Sequence, residues 1–167
     1  WADPQRDAAK WSEDAGIIVK RHSNPRESTV EAWGLVDGQP TGSHFKVRIY
    51  DDVISREAVN TPDMIERTTA AWELSINLGV AEGGIERYIG TRYAIMDTYH
   101  AMMERRIVKP RIYPSTDDGT ETGKPVLLSP EAHEKKRRAM GPVTFAAQML
   151  QKPISKATAT FDVEHLH

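Results

Sequence analysis

The stretch HFKVRIYDDVISREAVNTP, His44 to Pro62, decides how the rest of the chain is read. Val47, Ile49 and Tyr50 favour a β-strand, and they run straight into two adjacent carboxylates, Asp51 and Asp52. Neighbouring like charges at a strand end repel, so the pair asks for a task. Ligands of parallel α/β sheets sit at the C-terminal tips of the strands. There, one acid can serve the water shell of a magnesium ion while its neighbour orients an attacking water. The plainer reading is that both acids cap a helix starting near Ile54. The strand-Asp-Asp pattern by itself leaves both readings open.

Upstream, GIIVK (Gly16 to Lys20) and STVEAWGLV (Ser28 to Val36) read as strands joined by the turn-rich RHSNPRES. Downstream, TPDMIERTTAAWELSINLG is the clearest helix, with Thr61 as N-cap, Pro62 at the first helical position and Gly79 as the stop. Met64, Ile65, Thr68, Trp72 and Ile76 keep helical spacing and predict one buried face. ERYIGTRYA reads as a strand ending in a loop, and MDTYHAMMERRI as a helix capped by Asp97. PRIYP and PVLL read as short strands around the polar STDDGTETGK. SPEAHEKKRRAMG and PVTFAAQMLQKP are the last two helices, and ISKATATFDVEHLH reads as a linker or edge strand. Strands alternating with helices predict an α/β architecture with a largely parallel sheet.

The length of 167 residues suits one domain with a sizeable core. With a net charge of -2 there is no basic excess to signal nucleic-acid binding by bulk electrostatics. The lack of cysteine excludes disulfides and thiolate zinc sites, and it suits an intracellular protein. No apolar run approaches the roughly 20 residues of a membrane span. The chain begins at Trp1 and reads as an excised piece.

Other motifs are weaker. The threonine of GTRY (Gly90 to Tyr93) at a strand tip can sense a phosphate or a bound water, or the four residues are a plain turn. TDDGT (Thr116 to Thr120) lacks the alternating acids of a calcium loop and reads as a turn. The six histidines have no ligand spacing. EKKRR (Glu134 to Arg138) is a solvated helix face or a contact for DNA phosphates. No G-x-x-x-x-G-K-[ST] loop occurs in the 167 residues, so nothing in them reads as a phosphate cradle.

Taken in order, DPQRDAAKWSEDAGIIVKR, EAWGLVDGQPTGSHFKVRIYDDV, TPDMIERTTAAWELSINLG, RYIGTRYAIMDTY, PRIYPSTDDG and LLSPEAHEKKRRAMGPVTFAAQMLQKP resemble the large terminase subunit of tailed bacteriophages. That subunit is the ATPase and nuclease that packages viral DNA, and the matching pieces cover nearly the whole chain. The resemblance implies an α/β fold of the additional-strand P-loop NTPase class, incomplete because the Walker A segment is absent. Residues 1–153 would be the back half of the ATPase domain and 154–167 the start of the linker toward a nuclease domain. RIYDD would be the Walker B strand, with Asp51 the magnesium acid and Asp52 the catalytic carboxylate. Thr91 would hold the sensing position of the coupling motif, and FAAQMLQKP would be the closing helix.

The implied cofactors are ATP and Mg2+. The implied partners are double-stranded DNA, the portal protein, the terminase small subunit and further copies of the subunit in a ring on the procapsid, with no membrane. The implied location is the host bacterial cytoplasm, transiently on the procapsid, and the isolated chain is expected to be inactive. Three departures stand out. Many terminases carry Glu where this chain has Asp52, and His often follows the TR[WY] triplet where this chain has Ala94. The segment before Walker B, GQPTGSHF, has no arginine, which leaves Arg48, Arg56 and Arg92 open as the arginine finger. Two other readings remain: a magnesium-dependent nuclease built on Asp51, Asp52, Asp117 and Asp118, and a non-catalytic interaction domain left in a prophage.

Overall fold

In the computed structural model, residues 3–23 and 25–155 are described. They form four short strands and four α-helices: β1 Lys10–Ser12, β2 Gly16–Ile18, β3 Val47–Asp51, α1 Pro62–Ser75, β4 Ile85–Ile89, α2 Thr98–Glu104, α3 Pro130–Ala139 and α4 Pro142–Gln148. The architecture is mixed α/β. No helix among the described residues is long and apolar enough to cross a membrane.

Among the described residues a largely parallel sheet does not form. β1 and β2 make an antiparallel pair, with Trp11 opposite Ile17, and β3 and β4 make a separate parallel pair. These two small sheets do not show a P-loop NTPase core. Three expected strands are missing among the described residues. In STVEAWGLV the pairing stops at one isolated bridge, Val30 to Ile17, with the Thr29 N–H bonding the same Ile17 carbonyl, and Trp33 stays exposed. PRIYP lies between Pro110 and Pro114, and PVLL begins with Pro125; proline has no N–H to give a ladder. Thr116 and Pro125 make one isolated bridge there. The linker expected at 154–167 lies outside the described residues beyond Ser155.

Helix starts follow their caps. Thr61 Oγ1 accepts from the Met64 N–H at 3.2 Å, Asp97 from the His100 N–H, and Ser129 Oγ from the Ala132 N–H. α1 closes in a 3-10 turn, Ile76–Leu78, before Gly79. Its buried stripe is narrower than the spacing predicts: Thr68, Trp72 and Ser75 are buried, while Met64 and Ile76 are exposed.

The described residues divide into two compact units, 3–50 with 70–88 and 51–69 with 89–155. In the first, the covered face of β3 and β4 is polar and aromatic. Tyr50 and Tyr88 stack with ring centroids 4.6 Å apart. The Arg48 guanidinium bonds the Glu86 carboxylate, the Ser75 carbonyl and the Tyr50 hydroxyl. Tyr50 also bonds Ser75 Oγ at 2.7 Å, and Trp72 Nε1 donates to the Tyr88 hydroxyl. The aliphatic residues take the opposite face, where Val47, Ile49 and Ile85 are exposed.

In the second unit, Ile54, Met102, Phe145, Ala146, Ala147 and Leu150 supply the buried apolar side chains. His133 of α3 meets Phe145 of α4 edge-on at 5.4 Å and bonds Ser115 Oγ through Nε2.

Candidate functional site

The site belongs to the second unit and is built on the ends of β3 and β4. Both Asp51 and Asp52 are exposed, and among the described residues neither carboxylate makes an ion pair or a hydrogen bond. They cap no helix. The nearest helical turn is the 3-10 turn Glu57–Val59, whose N-cap is Arg56 and has no side-chain cap bond. The capping reading of the two acids is therefore set aside.

Asp52 sits at φ 48, in the left-handed region. Aspartate enters that region more easily than most residues, at a cost of about 1–2 kcal/mol for an L side chain. The conformation ends β3 abruptly while one ladder bond persists: the Asp52 N–H donates to the Ile89 carbonyl at 2.9 Å. That same carbonyl accepts the Tyr99 hydroxyl of α2 at 3.0 Å. One oxygen at the tip of β4 thus ties down both the acid's backbone and the neighbouring helix.

Gly90 is required by this packing. A Cβ there would lie 2.1 Å from the Tyr99 hydroxyl oxygen and 2.8 Å from its ring carbon Cζ. Thr91 follows directly and is half-buried, with no side-chain hydrogen bond among the described residues. The chain then turns through Arg92 to Asp97. Arg92 Nε donates to both Asp97 carboxylate oxygens, at 2.8 and 3.0 Å, and its Nη2 donates to the Ala94 and Ile95 carbonyls. Asp97 is fully buried and also accepts from the His100 N–H at 2.9 Å.

Electrostatically, Tyr99 reads the site. Burial pushes its hydroxyl pKa up strongly, and the charges of Asp52, Asp97 and Asp51 push it further in the same direction. Tyr99 therefore stays protonated and a donor through the ordinary pH range. No sequence signal marks this role, since a tyrosine two residues past a helix cap is usually packing. The Arg92–Asp97 pair also went unread; only Asp97's cap was legible.

The three arginines separate. Arg48 and Arg92 are part-buried and fully engaged, whereas Arg56 is exposed. The nuclease cluster does not assemble. Among the described residues no three His, Asp or Glu side chains gather as a metal site. Asp118 is occupied in its own turn, accepting from the Thr120 N–H and hydroxyl, and Asp117 accepts from the Lys124 N–H. In EKKRR, Arg137 and Arg138 both bond Glu134, whose pKa falls to about 2, chiefly through the Arg137 hydrogen bond and then that of Arg138.

Two exposed, unengaged carboxylates fit a magnesium ion held mainly by waters and substrate phosphates, which asks the protein for one or two acids. Compared with known proteins, the chain matches no family model and no curated protein.

Proposed function

We propose that this chain is part of the ATP-hydrolysing motor that packages viral DNA, the back part of a terminase ATPase domain. One observation carries the reading: two adjacent, unengaged carboxylates stand at the C-terminal end of β3, beside the parallel strand β4, which is followed directly by Gly90–Thr91. In this reading Asp51 holds the hydration shell of the metal. Asp52, turned by its left-handed backbone, accepts a hydrogen bond from the attacking water. Thr91, with its hydroxyl unengaged among the described residues, reports the γ-phosphate to α2. Magnesium-ATP supplies the charge that these groups recognise. The finer assignment, a P-loop NTPase core, is part of the same proposal.

The test uses a protein that joins this segment to a phosphate-binding loop. Asp52→Asn should bind magnesium-ATP and fail to hydrolyse it, because size is kept and the basic oxygen is lost. Asp51→Ala should weaken binding of the metal–nucleotide complex. Near-normal turnover by Asp52→Asn would move the catalytic acid elsewhere, with Glu57 next in line. The 167 residues alone should not turn over ATP, since they contain no Gly-rich cradle, and robust turnover by them would overturn the assignment.

A further inference from the structure

RRIVKPR, residues 105–111, holds four cations and no acid in a chain of net charge -2. It leaves α2 through a Schellman turn: the Arg106 N–H donates to the Met103 carbonyl at 3.0 Å and the Ile107 N–H to the Met102 carbonyl at 3.1 Å. The turn places Arg106 at φ 55, a position that glycine fills most easily. An arginine there works against its backbone preference and gains only its side chain, which is exposed. A residue kept in an unfavoured conformation points to a task.

Lys109, Arg111 and Tyr113 are exposed as well, Tyr113 at 72%. Among the described residues Arg106, Lys109 and Arg111 make no ion pair, in contrast to Arg137 and Arg138. Lys109 and Tyr113 each precede a proline, which disfavours helix, and neither lies in a helix or strand. The segment is therefore a basic, non-helical strip with an aromatic end. It lacks the apolar helix face by which an interfacial helix inserts into a membrane.

We propose that residues 105–113 contact the phosphate backbone of nucleic acid, through Arg106, Lys109 and Arg111, with Tyr113 laid against a sugar or base. Arginine suits phosphate because its planar donors reach two oxygens at once. The phosphate chemistry stands on the segment alone; the choice of duplex DNA rests on the packaging reading.

The test is anisotropy of a fluorescent DNA duplex with the purified chain across a salt series, beside vesicles containing phosphatidylserine. Replacing Arg106, Lys109 and Arg111 together by Ala should weaken binding at least about tenfold and flatten the slope of log affinity against log salt by about 2–3. Lys135→Ala with Lys136→Ala, on α3, should change binding little. Arg106→Gly should melt at a higher temperature yet bind DNA more weakly, a divergence that a purely structural role would not produce. The proposal is overturned if the chain fails to bind duplex at low salt, if the triple variant binds as tightly as the original, if the α3 pair loses as much, or if vesicles are bound and DNA is not. Nucleotide turnover is a separate readout, so either proposal can fail while the other stands.

Discussion

Arg92 and Asp97 form a buried clamp: Nε donates to both carboxylate oxygens across the turn between β4 and α2, and the carboxylate is completely shielded from solvent. Asp97 also caps α2, so one charge closes the turn and starts the helix. Arg92→Ala leaves that charge unpaired, and removing one partner of a buried pair typically costs about 3–5 kcal/mol. Because Arg92 keeps some exposure, the expected loss lies near the lower end. Urea unfolding of Arg92→Ala checks this, and a loss below about 1 kcal/mol would mean that the cap bonds alone hold Asp97.

Gly90→Ala should destabilise by about 1–3 kcal/mol, because the new methyl collides with the Tyr99 hydroxyl and ring, and moving them strains the bond to the Ile89 carbonyl. Combining it with Tyr99→Phe removes the atom in closest conflict. The double variant should lose less than the sum of the two single losses. Strict additivity would show that the two residues do not meet.

Tyr99 gives a pH signature. Its folded pKa is raised, by burial first and then by Asp52, Asp97 and Asp51. Below the unfolded tyrosine pKa of about 10 both states hold the proton and its contribution is complete. Above it the unfolded chain ionises first, so stability falls as pH rises from there toward the folded value. Tyrosinate absorbance should show a component that appears only with unfolding, and Tyr99→Phe should shrink the alkaline loss. An alkaline profile unchanged by Tyr99→Phe would contradict the assignment.

Ile49 is 64% exposed on the open face of a two-stranded sheet, next to exposed Val47. Apolar strands without neighbours invite pairing between chains. Ile49→Thr should lower self-association, measured by light scattering over a concentration series, with stability changed by no more than about 0.5 kcal/mol. Equal association in that variant would place the sticky surface elsewhere.

Much of the helical structure was legible because its causes are local. Thr61, Asp97 and Ser129 each bond an N–H three residues ahead, so residue types a few positions apart predict the start. β3 was legible for a similar reason, and its two acids stood out as unusual. Which face β3 covers was not legible from those β-formers. Val47 and Ile49 are exposed, and the covered side carries Arg48 and Tyr50, because Ser75 of α1 bonds both of them.

The sequence by itself determined the helix caps, the acid pair at the end of β3, the lack of a Gly-rich phosphate loop and the charge of RRIVKPR. Those properties need only neighbours along the chain. Tertiary structure alone decided that the strands pair in two separate twos, that the Ile89 carbonyl joins Asp52 to Tyr99, and that Asp117 and Asp118 stay apart from the acid pair. Pairing and burial depend on residues far apart in sequence, whose meeting is set by competition among many possible partners. No periodicity or local motif records that outcome.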